Sequence, residues 1–234
     1  ATEWTCFYFD DINSFSYNSI TGLSKDYYGI ELGARVKLTS FLDLKAIGSI
    51  SEAKNVSNAK VIYLNATEGK PYKDRAYIKN MRESGTPLTA LSLGLSYHQS
   101  GWFVDLNGNY YDRIYLGYSP YYRYAKSMTK AGLVDNEGNY MVSPQDKGKG
   151  GFMLDGSIGR NIRLKKGSLA INLMVTNILN NQKIITGGYE QSRSDYSTNQ
   201  TTGVTNQRSY SFSKNPKVFH AWGTNGMLQI SYRF

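Results

Sequence analysis

The sequence predicts an all-β chain, an antiparallel transmembrane β-barrel wall of about eight strands, and three observations carry that expectation. Apolar and polar residues alternate with period two in segment after segment. Short turns and long polar stretches succeed one another between those segments. Aromatic residues gather near segment ends, and the last residue, Phe234, is one of them.

The segments follow in order. A strand is placed near 2–9, although Trp4, Cys6, Phe7, Tyr8 and Phe9 alternate only loosely. Over 27–38, Tyr28, Ile30, Leu32, Ala34, Val36 and Leu38 face one way, and Gly29, Glu31, Gly33, Arg35 and Lys37 the other. A weaker strand covers 42–52, with Leu44 and Ile50 opposite Asp43 and Lys45. Over 87–98, Leu91, Leu93, Leu95 and Tyr97 oppose Ser92, Gly94, Ser96 and His98. Over 102–116, Trp102, Val104, Leu106 and Tyr110 oppose Asp105, Asn107, Asn109 and Arg113. The strand at 151–162 sets Phe152, Leu154 and Ile158 against Asp155, Ser157 and Asn161. At 168–179, Leu169, Ile171, Leu173 and Val175 oppose Ser168, Asn172 and Thr176. The last, 221–234, sets Trp222, Leu228, Ile230, Tyr232 and Phe234 against Gln229, Ser231 and Arg233. A helix would scatter each of these sets around its circumference.

The turns at 39–41, 99–101 and 163–167 are tight, whereas 10–26, 53–86, 117–150 and 180–220 are long and polar. Outer-membrane barrels place short turns in the periplasm and long loops outside, so the final strand is expected to run inward and end at the periplasmic rim. Alternation is equally compatible with a soluble sandwich. The loop order, the terminal aromatic residues and the polar inner faces favour the membrane wall.

Composition agrees: 20 Tyr and 23 Gly against 5 Pro favour strands and polar loops, and no apolar run reaches the ~18 residues of a spanning helix. The net charge of +9 is spread along the chain without a recognisable nucleic-acid reading module, so nucleic acid is not an expected partner. Cys6 is the single cysteine and carries no compartment signal. With neither an initiator Met nor a signal peptide at Ala1, either a leader has been removed or the chain begins partway through a larger protein.

No catalytic or metal-binding constellation is present, and neither an enzyme nor a cofactor is expected. His98 reads as lumen lining, and Lys-Gly-Lys-Gly-Gly at 147–151 as a loop meeting a strand, since no helix follows it. Binding chemistry concentrates in the loops. Tyr118, Tyr121, Tyr122, Arg123 and Tyr124 can stack a flat or sugar-like ligand and hold an acidic group, or can serve the outer girdle and loop packing. Tyr189, Arg193, Asp195 and Tyr196 carry the same two readings. Loop residues Lys126, Lys130, Lys147 and Lys149 suit lipopolysaccharide phosphates.

Leu228-Gln-Ile-Ser-Tyr-Arg-Phe234 resembles the terminal signature of outer-membrane barrels, and Asn172-Leu-Met-Val-Thr-Asn-Ile-Leu-Asn-Asn181 resembles the penultimate strand of TonB-dependent receptors. Gly101-Trp-Phe-Val-Asp-Leu-Asn-Gly-Asn-Tyr-Tyr-Asp112 and Tyr118-Ser-Pro-Tyr-Tyr-Arg123 are similar to receptors of this class from the Bacteroidetes. The resemblance implies the C-terminal part of a 22-stranded transporter barrel, closed by an N-terminal plug that is not recognisable in this chain. It further implies active nutrient uptake across the outer membrane, energised by the TonB complex through that plug, with a surface lipoprotein as a further partner. It makes Ile230, Tyr232 and Phe234 the signal read by the barrel-assembly machinery. Iron chelates, cobalamin, glycans and peptides all remain open as cargo. The alternative is a complete eight-stranded barrel with a structural or adhesive role. The small inner-face residues Gly29, Gly33, Ser92, Gly94 and Ser96 favour the larger barrel, because a small one must fill its own core.

Overall fold

The computed structural model describes residues 2–9, 15–65, 69–190, 196–198, 205–207 and 216–234, with side chains over 18–64, 69–190 and 216–234. The strands are β1 (Thr2–Phe9), β2 (Phe15–Leu23), β3 (Lys25–Lys37), β4 (Leu42–Asn55), β5 (Ala59–Asn65), β6 (Pro71–Ala76), β7 (Pro87–Gln99) and β8 (Trp102–Ile114). A 3-10 turn (Pro120–Arg123) and a short helix α1 (Ala125–Lys130) follow. The remaining strands are β9 (Gly151–Arg163), β10 (Ser168–Thr176), β11 (Ile185–Tyr189), β12 (Tyr196–Thr198), β13 (Thr205–Gln207), β14 (Lys217–His220) and β15 (Asn225–Arg233). Among the described residues no helix is long and apolar enough to cross a membrane.

Seven strands form one antiparallel sheet in the order β15, β10, β9, β8, β7, β4, β3. Its registers gather apolar residues on one face and most polar ones on the other, because directly paired residues point the same way. Ile30 pairs with Ile50, Val36 with Leu44 and Leu44 with Leu95. Leu95 pairs with Leu106, Tyr110 with Phe152, Ile158 with Leu173 and Leu173 with Leu228, so a single apolar face crosses the whole sheet. On the reverse, Lys37 pairs with Asp43, Asp43 with Ser96, Ser96 with Asp105, and Asp105 with Ser157.

The apolar face is the exposed one: Leu32 is 72% accessible, Leu93 57% and Ile230 63%. On the inner strands β4, β7, β8 and β9 the polar face is more crowded and bonded to itself, whereas on the edge strands β3 and β15 it too is exposed. Arg35 donates to Asp43 at 2.6 Å, Ser92 to Asn109 at 2.7 Å, and Asn109 to Asp155 at 2.8 Å. Asp43 is 1% accessible. A soluble sheet does the opposite, hiding its apolar side and wetting its polar one.

The short turns are built as the sequence implies. Between β7 and β8 only Ser100 and Gly101 intervene, at φ 53° and 83°, the paired left-handed conformation of a two-residue hairpin. A Cβ on Gly101 would also lie 2.6 Å from the Asn161 carbonyl oxygen.

Three expectations need correction. The segment 2–9 is not an eighth strand of this sheet. As β1 it pairs with β2 in a separate four-stranded sheet ordered β1, β2, β5, β6. The stretches 10–26 and 53–86 are not simply loops, since they hold β2, β5 and β6, and the stretch 180–220 holds β11 to β14. The strands expected over 168–179 and 221–234 are shorter: the first stops at Thr176, because Asn177 adopts φ 49° and turns its side chain inward, and the second begins only at Asn225, which leaves Trp222 in the connection before it. The second sheet continues the first: Ser24 alone separates β2 from β3, and Val56 to Asn58 separate β4 from β5. Val56 donates its N–H to Ser24 at 2.9 Å, and Ser24 donates its own to Ser57 Oγ at 2.9 Å, stitching this step in the long hairpin.

Candidate functional site

Above the long-loop rim the connections condense into a layer with its own core. Ile20 and Leu23 of β2, Ala59, Val61 and Tyr63 of β5, Ala76 of β6, and Ile78, Met81 and Tyr124 are all buried together. Alternate residues of β5 supply this core, whereas Ile62 and Leu64 point outward at 47% and 40% accessible.

Arg123, one of the proposed ligand contacts, lies inside this layer. Its Nη1 and Nη2 each donate to Glu190 at 2.8 Å, and both residues are nearly inaccessible. The guanidinium also donates to the carbonyls of Ser119, Ser143 and Pro144 and lies 5.5 Å from the Tyr118 ring centroid. The Asp146 N–H donates to Glu190 Oε1 at 3.1 Å. Burial pushes the Glu190 carboxyl up against the downward pull of Arg123, and burial likewise pushes Asp146 up. Around this pair the backbone of Gly117 exchanges bonds of 2.8 Å with Gly188 and Glu190. The loop around 118–124 is thus brought against the strand end at Gly188 to Glu190, where the second cluster begins with Tyr189, and a buried ion pair holds the two together.

Tyr124 is also interior: its hydroxyl donates to Asn18 Oδ1 at 3.1 Å and its ring stacks 5.6 Å from Tyr63. Half-buried Tyr118 accepts from Asn55 Nδ2 at 2.7 Å, and burial pushes its phenol up. Tyr121 and Tyr122 are half-buried and meet edge to face at 5.5 Å. Beside them Lys126 sits 4.1 Å from the centroid of the Tyr72 ring. Tyr189 is 57% accessible and meets Phe219 edge to face at 6.1 Å. Tyr196 is placed in β12 by its pairing with Gln207, and Arg193 and Asp195 lie outside the described residues. Ile230 and Tyr232 stand on the apolar face, Phe234 is fully exposed, and the Tyr232 hydroxyl donates to the Lys166 carbonyl at 2.8 Å.

A second structural centre joins the ends of β10 and β15. Asn177, 1% accessible, donates from Nδ2 to Trp222 O at 2.8 Å and accepts from the Asn181 N–H at 2.9 Å. Its own N–H donates to Asp155 Oδ1 at 2.7 Å, and Thr224 Oγ1 donates to its carbonyl at 2.8 Å. Sequence reasoning passed over Glu190, Asn18 and Asn55. Glu190 directly follows Tyr189, an already noted tyrosine, and the need of a buried arginine for a carboxylate was the signal for it.

Among the described residues the accessible aromatic groups of the layer are Tyr121, Tyr122 and Tyr72, with Lys126 and Asp74 beside them, and Tyr189 with Phe219. Such faces stack planar or sugar-like groups. No group of three or more potential metal ligands occurs among the described residues. Compared with the known protein families, the curated proteins and the solved structures, the chain matches none.

Proposed function

We propose that the chain is outer-membrane β-barrel wall with extracellular loops, the C-terminal part of a TonB-dependent receptor that takes up a nutrient ligand. The observation that carries this is the seven-stranded sheet whose apolar face is exposed while its polar face is crowded along the inner strands. Along β3, Tyr28 to Val36 give an apolar band of about 26 Å at ~3.3 Å per residue, close to the height of the lipid-facing band of an outer-membrane barrel. The condensed layer at the long-loop rim supplies the binding surface, with Tyr121, Tyr122 and Tyr189 toward the ligand and Arg123 and Tyr124 supporting them from within. The barrel-assembly machinery would read Ile230, Tyr232 and Phe234, and the TonB complex would act through a plug.

Strand parity favours a larger barrel over the complete eight-stranded alternative. In a seven-stranded antiparallel meander the edge strands β3 and β15 run the same way, so they cannot close antiparallel on each other. β1 pairs beside β2, beyond the end of β3, and does not line β3 as an eighth wall strand would.

The test is site-directed spin labelling of the chain in lipid, in a Cys6→Ser background. Labels at Leu32, Leu93 and Ile230 should meet oxygen dissolved in lipid, and labels at Ser92, Asn107 and Ser157 a water-soluble relaxant. Water-soluble access to both sets would remove the membrane assignment.

A further inference from the structure

Arg160 is out of place on the face where it stands. It pairs with Trp102 across to β8 and with Ile171 across to β10, so it shares the apolar face with Ile158, Leu173 and Ile230. Along β9 that face otherwise reads Phe152, Leu154, Gly156, Ile158 and Ile162. The side chain is exposed, has no ion-pair partner among the described residues, and lies 4.8 Å from the centroid of the Trp102 ring. Its height is fixed by the neighbouring turn: the Asn161 N–H donates to the Gly101 carbonyl at 2.7 Å, which sets Arg160 level with the tip of the β7–β8 hairpin. Just beyond it the β9–β10 turn exposes Lys165 and Lys166, and 160–168 contains no acid.

An unpaired guanidinium on a lipid-facing surface is costly at mid-depth and nearly neutral at the interface. At the interface the group that matches its fork is a phosphate, held by two parallel N–H bonds. A tryptophan ring beside it belongs at the same headgroup level. From this juxtaposition we propose that Trp102, Arg160 and the Lys165–Lys166 turn form a binding site for the headgroup of an anionic phospholipid in the leaflet on the short-turn side. The proposal rests on the membrane placement above.

The experiment uses the full chain with Trp4→Phe and Trp222→Phe, leaving Trp102 as the one fluorophore of its kind, in vesicles mixing phosphatidylglycerol and phosphatidylcholine. Bromine is carried on the chains of one lipid or the other at equal mole fraction. Brominated phosphatidylglycerol should quench Trp102 more strongly, corresponding to an enrichment of about fivefold at one cation. Arg160→Gln should abolish the difference, and Arg160→Lys, which keeps the charge without the fork, should retain part of it. Equal quenching by both lipids in the parent protein overturns the headgroup site and leaves the membrane placement standing. Quenching by neither overturns the membrane placement itself. If inorganic phosphate erases the preference, the site takes free phosphate and the lipid assignment is overturned.

Discussion

Arg123 shows how one side chain can belong to the chemistry of binding in sequence and to the chemistry of support in space. Its bidentate bond to Glu190 is sealed from water, so removing one partner strands the other as a buried charge. Arg123→Ala should destabilise the loop layer by about 3–5 kcal/mol, read as a lower urea midpoint, whereas Tyr122→Ala at the half-exposed surface should leave that midpoint nearly unchanged. The raised Glu190 and Asp146 carboxyls give this layer a pH dependence. A carboxyl whose folded value exceeds its unfolded one favours folding fully below the unfolded value, and the contribution is lost as pH rises through the folded value. With ordinary values of 4.5 and 3.8, the window opens above those and closes at the raised values. The urea midpoint should therefore be higher at pH about 5 than at pH about 8, and Glu190→Gln should remove most of the difference. The Tyr-Arg cluster was legible in sequence as a concentration of binding groups. Its burial was not, because the carboxylate that commits Arg123 lies 67 residues away.

At the scale of elements, period two revealed every strand whose two faces differ in chemistry. β3, β7, β8, β9 and β10 were legible because apolar residues dominate one face of each and polar residues the other. β2 and β5 escaped for opposite reasons. The buried side of β2 carries Asn18 beside Ile20, which blurs the contrast from within. The outward side of β5 carries Ile62 and Leu64, which blurs it from without. The hairpin between β7 and β8 is the element most open to a single decisive change. Gly101→Val forces a β-branched residue into a left-handed conformation and against the Asn161 carbonyl. A cost of about 1–3 kcal/mol is expected, seen as a lower denaturant midpoint, while Ser100→Asn should be neutral or stabilising at the same turn.

For the whole molecule, the sheet leaves β3 and β15 as open edges running in one direction. Expressed alone, the 234 residues should not yield a detergent-stable monomer that shifts on heating during electrophoresis. A heat-modifiable monomer would return the case to the small closed barrel. The main sheet holds seven strands against about eight expected, since a sequence shows that 2–9 is extended but not which sheet it joins.

The passage from β2 into β3 and from β4 into β5, interrupted only at Ser24 and at Val56 to Asn58, makes the four-stranded and seven-stranded sheets one mechanical piece. On the proposed function, a ligand pressing on half-buried Tyr121, which meets Tyr124 edge to face, would push on the upper arm of a lever whose lower arm is β3 and β4, with the stitched step between them as the fulcrum. Capture at the surface and a change at the Arg35 to Asp43 contact near the opposite rim would then be two ends of a single displacement.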